Sequence, residues 1–247
     1  MRAIIIFILV GVFGFNNQLN GQSWSVGLRY GNLNFKDWEF DKGTIKLRGI
    51  TDGRFIIGSD VKKELSGGFY LGISLDVLAA NESIFLDKIG KAGSHKYAIF
   101  SIGPKIQKDI FFVKEKFGLN TGISSMFSWI ESNSFFYDND DSFRIIRVEK
   151  KDEFGNISLV PLTDVVFSGE RVVERKTSLF INPEIALFYN VSRGFRLSIN
   201  HQWGLNTGKP IINRVLEPII YDKISYTASD SFRGNFKNTT IGINYLF

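Results

Sequence analysis

Eight segments of this 247-residue chain alternate apolar and polar residues with a period of two, which is typical of β-strands that have two different faces. Each is close to the length of a tilted membrane strand, about 9–11 residues. Beyond residue 15 the chain has no long uninterrupted apolar run, so a membrane form would have to cross as strands. The predicted strands are Ser23–Phe35, Asp52–Lys62, Gly68–Ala80, Lys96–Ile110, Lys116–Ile130, Ser178–Val191, Gly194–Asn206 and Thr239–Phe247.

Long and short connections alternate strictly between these segments. The short ones are Lys63–Gly67, Phe111–Glu115 and Ser192–Arg193, and the long, polar ones are Lys36–Thr51, Asn81–His95, Glu131–Thr177 and Thr207–Phe236. An up-and-down barrel with short turns at one end and long loops at the other gives this pattern. Because hydrocarbon satisfies no free backbone groups, the first strand must pair with the last. The sequence therefore predicts an all-β fold, a closed antiparallel transmembrane β-barrel of eight strands, or ten if the longest loop crosses twice.

The N-terminus has the parts of a secretory signal peptide. Arg2 gives a positive start, Ile4–Phe15 is uncharged and apolar, and Gly21–Gln22 is the predicted cleavage point. The apolar run is too short for a membrane-spanning helix. We therefore expect residues 1–21 to be removed and residues 22–247 to form the barrel. There is no Cys, which excludes disulfides, thiolate metal sites and a lipid-modified N-terminal Cys.

The last residues, Ile241-Gly242-Ile243-Asn244-Tyr245-Leu246-Phe247, resemble the closing strand of outer-membrane barrels, which typically ends in Phe after alternating apolar or aromatic residues. With the signal peptide and the loop pattern, the chain resembles small eight-stranded barrels of the OmpA/OmpX-like type, and we expect it to lack the soluble C-terminal domain that some of these proteins have. This resemblance implies a Gram-negative outer membrane with its lipid and lipopolysaccharide as surroundings, and periplasmic termini. It also implies that the barrel assembly machinery reads Tyr245 and Phe247.

Charged residues on the polar faces would point into the lumen. An eight-stranded barrel is just wide enough to be filled by side chains, and isolated buried charges are very costly, so opposite charges should pair there. We expect a salt-bridged polar plug near Arg29, Lys105 and Glu184, which would block a continuous water channel. The predicted interior network is Arg29, Asp76, Lys105, Glu184 and Arg196, with Asp60, Lys62 and Asp109 as further candidates.

Signals for catalysis and for cofactor or metal binding are weak, and we expect no enzyme and no cofactor. Some outer-membrane barrels hydrolyse lipids with a His and a Ser, but His201 and Ser198 are three apart and point to opposite faces of a strand. The acidic run 137–142 lacks the Gly and distal Glu of a helix–loop–helix calcium site. A formal charge of +5 over this length does not call for nucleic acid.

The longest predicted loop contains two partly apolar runs, 143–148 and 157–160, which predict a projecting hairpin. Phe143, Ile145, Val148 and Phe154 are its candidate partner-binding residues. The leading hypothesis is a non-enzymatic outer-membrane barrel whose loops bind an envelope partner or an external target, for instance as a subunit of a larger outer-membrane complex. The alternatives are a small-solute pore, an outer-leaflet lipid enzyme, and a soluble barrel with an apolar ligand inside.

Overall fold

A computed structural model describes residues 24–35, 39–43, 47–86, 90–113, 116–132, 134–137, 146–151, 157–162, 166–221 and 223–247. The predicted signal peptide, residues 1–21, lies outside these residues. The described part of the chain forms fifteen strands: β1 (Trp24–Phe35), β2 (Glu39–Gly43), β3 (Leu47–Ser66), β4 (Phe69–Leu86), β5 (Gly90–Val113), β6 (Phe117–Glu131), β7 (Phe135–Tyr137), β8 (Ile146–Lys151), β9 (Ile157–Leu162), β10 (Val166–Val173), β11 (Thr177–Ser192), β12 (Phe195–Asn206), β13 (Ile212–Tyr221), β14 (Ile224–Phe232) and β15 (Phe236–Leu246). No helix among these residues is long and apolar enough to cross a membrane.

Eight antiparallel strands close into a barrel in the cyclic order β1-β3-β4-β5-β6-β11-β12-β15. The first strand pairs with the last, from Ser25–Leu246 to Phe35–Phe236, and the Trp24 and Phe247 backbones exchange hydrogen bonds of 2.7 and 2.9 Å. The loop between β3 and β4 is the pair Gly67-Gly68, both with positive φ, as a tight two-residue hairpin requires. Closure leaves no free edge in the wall, so the backbone groups along it are paired.

These eight strands confirm the predicted eight-stranded barrel, and the ten-strand alternative is wrong because β8 and β9 lie outside the closed ring. The predicted strand ends differ from those observed. The segment Asn81–His95 was expected to be a loop, whereas β4 and β5 stay paired as far as Leu86 and Gly90. Outside a bilayer neither face of a hairpin has to be apolar, so this part of the ladder shows no alternation.

Strands also fill the predicted long loops. The β8–β9 hairpin pairs from Ile146–Leu162 to Lys151–Ile157, as expected for the projecting hairpin. A five-stranded sheet, which we call the loop sheet, has the order β2-β14-β13-β10-β7 and was not predicted. It lies at the long-loop end, because β13 and β14 connect β12 to β15 there.

The outer surface of the barrel wall is apolar along most of its height. Large apolar side chains are exposed on every barrel strand, including Leu28, Ile57, Ile73, Ile106, Ile123, Leu187, Ile199 and Ile241. Aromatic residues mark both ends of this band: Trp24, Phe69 and Tyr245 near the short turns, and Phe100, Trp129 and Trp203 near the long loops. An apolar band between aromatic girdles is the outer surface expected of a transmembrane barrel.

Candidate functional site

Six charged side chains meet inside the barrel and form what we call the central ion-pair cluster: Arg29, Asp60, Lys62, Asp76, Lys105 and Glu184. Arg29 contacts Asp76 at 2.6 Å, Asp60 at 3.7 Å and Glu184 at 3.9 Å. Three cations face three carboxylates, and each of the six is at most 8% exposed. Burial of so many charges is tolerable only because they compensate one another.

Lysines complete the cluster across the lumen. Lys105 lies 2.8 Å from Glu184 and 3.5 Å from Asp60, and Lys62 lies 3.1 Å from Asp60. Lys62 also donates to the amide oxygen of Gln107 at 2.7 Å, and the Gln107 amide donates to Glu184. These residues come from β1, β3, β4, β5 and β11, so the contacts cross the barrel rather than following its wall.

The alternation of each strand places these side chains inside. On β1, Ser25, Gly27, Arg29 and Leu33 are buried, whereas Leu28 and Tyr30 between them are exposed. Small neighbours leave room for the long side chains. At Gly58 a Cβ would lie 2.3 Å from the Asp76 carboxylate and 2.4 Å from Arg29 Nε, so a glycine is needed where the two meet.

Arg196 belongs to a separate group near the short turns. It contacts Asp109 at 2.6 Å, donates to Asn190 at 2.8 Å and lies over the ring of Phe188, 3.9 Å from its centroid. Asn120 donates to the same Asp109 at 2.6 Å. Of the five residues predicted as one network, the structure therefore brings together Arg29, Asp76, Lys105 and Glu184, and it pairs Arg196 with Asp109 instead.

Above the central ion-pair cluster, toward the long loops, the lumen holds an apolar layer that we call the apolar cap. Its wall residues are Leu33, Ile56, Leu78, Ile99, Met126, Phe180 and Phe236, and the loop sheet region adds Ile211, Ile212 and Phe232. Phe232 reaches the wall through edge contacts to Phe35 and Tyr97, with ring centroids 5.5 and 6.3 Å apart. The base of the β13–β14 hairpin is thus packed into the barrel mouth.

Little free space remains at the level of the charges. A cavity of about 20 Å³ is lined by Arg29, Asp60, Lys62 and Asn244, among others, and has room for about one water molecule. The lumen is therefore filled at two levels, by paired charges and by apolar side chains.

The predicted partner-binding residues are only partly described. Phe143, Ile145 and Phe154 lie outside the described residues, and Val148 lies on β8, paired with Val160. The C-terminal aromatics Tyr245 and Phe247 are exposed on the outer wall beside the short turns, with ring centroids 5.8 Å apart.

His201 and Ser198 lie on opposite sides of the barrel wall. His201 faces outward and its Nδ1 lies 3.0 Å from the Thr239 hydroxyl, whereas Ser198 is buried in the lumen. The two side chains therefore do not form a catalytic pair. In the described part of the chain, no group of three or more His, Cys, Asp or Glu could hold a metal ion. The acidic stretch 138–142 lies outside it.

Sequence reasoning missed a buried ion pair in the loop sheet. Arg214 and Asp230 lie opposite each other on β13 and β14, and Arg214 Nε donates to the Asp230 carboxylate at 2.8 Å. Both are at most 2% exposed, as is Arg171 on the neighbouring strand β10. The alternation of Ile212, Arg214 and Leu216 could have indicated a strand with one buried face.

Comparison with known proteins gives matches in structure only. No family model and no curated protein sequence matches the chain. The outer membrane protein OprG from Pseudomonas aeruginosa is similar with a TM-score of 0.50 at 10% identity, over 92% of this chain and 96% of OprG. A major outer membrane protein from Thermus thermophilus gives a TM-score of 0.48 at 12% identity, over 92% of this chain and 100% of that protein. Neisserial surface protein A gives a TM-score of 0.44 at 11% identity, over 92% of this chain and 99% of that protein.

At these identities the likeness concerns the fold alone. It agrees with the closed ring of eight antiparallel strands. The chain has the fold of the small eight-stranded outer-membrane β-barrels.

Proposed function

We propose that this protein is a non-enzymatic, integral outer-membrane barrel that acts through its loop sheet and conducts no solute through its lumen. The proposal rests on the filling of the lumen by both the central ion-pair cluster and the apolar cap, and on the packing of the loop sheet into the barrel mouth. A filled lumen leaves the surface beyond the membrane as the part available for binding. That surface would face outside the cell, because short turns are periplasmic in barrels of this fold.

The membrane location rests on the chemistry of the wall. A band of exposed large apolar side chains on all eight strands is too extensive for a soluble monomer. Such a band is stable against acyl chains, with the charged residues enclosed. Tyr245 and Phe247 are exposed at the end of the last strand, where assembly machinery could read them before the barrel closes.

The closed lumen predicts the electrical behaviour of the purified protein. In planar bilayers we expect monomer to give no stable large conductance steps, because the central ion-pair cluster and the apolar cap both block water. Single-channel recording at fixed voltage, with a known general porin as the positive control, measures this. Reproducible large steps from purified monomer would favour the pore instead.

The loop sheet offers an outward face for a partner. Val215 and Ile220 on β13 are 42% and 37% exposed, whereas Arg214 and Asp230 on the opposite face are buried. Glu170 lies beside Val215 in the register and is also exposed. A firmly supported sheet with exposed apolar residues next to a carboxylate can bind another envelope protein or an external target.

Substitutions on this face test the binding role. The double variant Val215→Glu/Ile220→Glu adds two charges to the exposed face, so we expect it to lose a partner that wild-type protein retains from detergent-solubilised envelopes. Quantitative mass spectrometry of the retained proteins measures the loss. Lys116→Glu/Arg193→Glu alters exposed residues of the short turns and should change nothing. A retained set that is equal for both variants and wild type would refute this face as the binding surface.

A further inference from the structure

A groove crosses the outer wall just where strand β6 ends, and we call it the rim groove. It consists of two adjoining cavities of about 430 and 390 Å³, which share Glu131 and Ser132 as lining residues. The first is bordered by Phe55, Ala79 and Ala98, the second by Phe100 and Trp129. Its inner side is formed by buried residues of the luminal core, Ala80, Tyr97 and Ile130.

The floor of the rim groove is apolar and lies below the level of the surrounding side chains. Phe55, Ala79 and Ala98 lie side by side on β3, β4 and β5, so two methyl groups stand where the rest of the wall carries large side chains. In the next row Phe100 stacks on Trp129, with centroids 5.6 Å apart and planes 15° apart. Neighbouring strands are about 4.8 Å apart, so two alanines leave a depression about as wide as one acyl chain.

Positive charge surrounds this floor. Arg54, Lys96 and Lys176 line the groove and are exposed, against one carboxylate, Glu131. Lys96 lies two residues beyond Ala98 on β5, a rise of about 7 Å toward the long loops. The groove thus passes from an apolar surface to a cationic one over the distance that separates the acyl chains of a lipid from its headgroup.

From this arrangement we propose that the rim groove binds one phosphorylated glycolipid of the outer leaflet, with an acyl chain over Ala79 and Ala98 and phosphates among Arg54, Lys96 and Lys176. Arg54 on β3 and Lys96 on β5 are two strand spacings apart, about 10 Å, which is wider than a single phosphate and suits a headgroup with two. Lys176 lies two strands further along the wall, just before β11. The inference rests on the proposed function in one respect, namely that the long-loop end lies at the outer leaflet.

The test uses the full barrel in detergent and native mass spectrometry, with diphosphorylated lipid A as the probe. We expect one lipid A to stay bound to wild type. Arg54→Gln/Lys96→Gln/Lys176→Gln should weaken binding about tenfold or more, because charge-assisted hydrogen bonds are lost. Ala98→Phe, which keeps all charges and fills the depression from outside, should also weaken it. The matched control Lys63→Gln/Lys116→Gln/Arg193→Gln removes three charges at the opposite end of the barrel and should leave lipid A binding unchanged.

Lipid chemistry provides the second arm of the test. Dephosphorylated lipid A and phosphatidylglycerol should both bind more weakly than diphosphorylated lipid A. Equal retention of the three lipids, or equal binding by wild type and the groove variants, would overturn the inference. Heat-modifiable mobility and insertion into vesicles are measured on the same samples. A chain that folds and inserts but shows no lipid preference refutes the rim groove alone, whereas a chain that does not insert refutes the proposed function and the groove with it.

Discussion

A valine at position 103 is expected to prevent the barrel from folding. A Cβ on Gly103 would lie 1.8 Å from the backbone oxygen of Ser125 and 2.8 Å from its carbonyl carbon. These atoms belong to the neighbouring strand β6, and a backbone cannot turn aside as a flexible side chain can. Relief would require β5 and β6 to separate in mid-wall, which exposes unpaired backbone groups to hydrocarbon. We therefore expect destabilisation above about 4 kcal/mol for Gly103→Val.

Heat-modifiable mobility on gels, after refolding into detergent or vesicles, measures this effect. Wild type should show a fast-migrating folded band, and Gly103→Val should not. Gly208→Val is the matched control, because the nearest atom to its Cβ is the Asn206 side-chain oxygen at 3.3 Å, which can move. A normal folded band for Gly103→Val would show that β5 and β6 do not approach each other so closely.

Loss of Arg29 should cause the second large effect. Arg29→Met removes the cation that contacts Asp76, Asp60 and Glu184, and leaves buried carboxylates with too little compensation. Breaking a buried ion pair from one side costs about 3–5 kcal/mol. We expect a reduction of this size in the free energy of unfolding, measured by urea titration in vesicles with tryptophan fluorescence.

A double variant separates charge imbalance from lost packing. In Arg29→Met/Asp76→Asn the carboxylate closest to Arg29, at 2.6 Å, becomes neutral, so part of the stability should return. Arg193→Met, on an exposed turn, should change little. A cost below about 1 kcal/mol for Arg29→Met, the range of exposed ion pairs, would mean that water reaches the central ion-pair cluster.

The barrel itself could be predicted from the sequence, because a bilayer imposes a strict rule on its strands. Each side chain faces either lipid or lumen, so strands such as Phe195–Asn206 show the period of two with few exceptions. Beyond the membrane the rule ceases to apply. Strands β4 and β5 remain paired there, from Asn81–Lys96 to Ile84–Gly93. Their sequences do not alternate in this region, so the pairing could not be predicted.

The interior was only partly predictable, because it depends on strand register and on contacts between distant segments. The alternation indicated that Arg29 and Asp76 face inward, but their contact depends on how β1, β3 and β4 pair. Register also explains why Arg196 pairs with Asp109 and not with the central ion-pair cluster. Ile211 and Phe232 of the apolar cap come from a segment predicted to be a loop, and no periodicity showed that they pack in the lumen.

The orientation of alternate side chains toward lipid is the central claim, and spin labelling of strand β15 in vesicles tests it most directly. The absence of native Cys allows single cysteines at positions 240–245. Labels at 241, 243 and 245 should be accessible to oxygen dissolved in the acyl chains, and labels at 240, 242 and 244 should be shielded from it. Accessibility that does not alternate, or that is higher at 240, 242 and 244, would contradict a barrel with its apolar side against lipid.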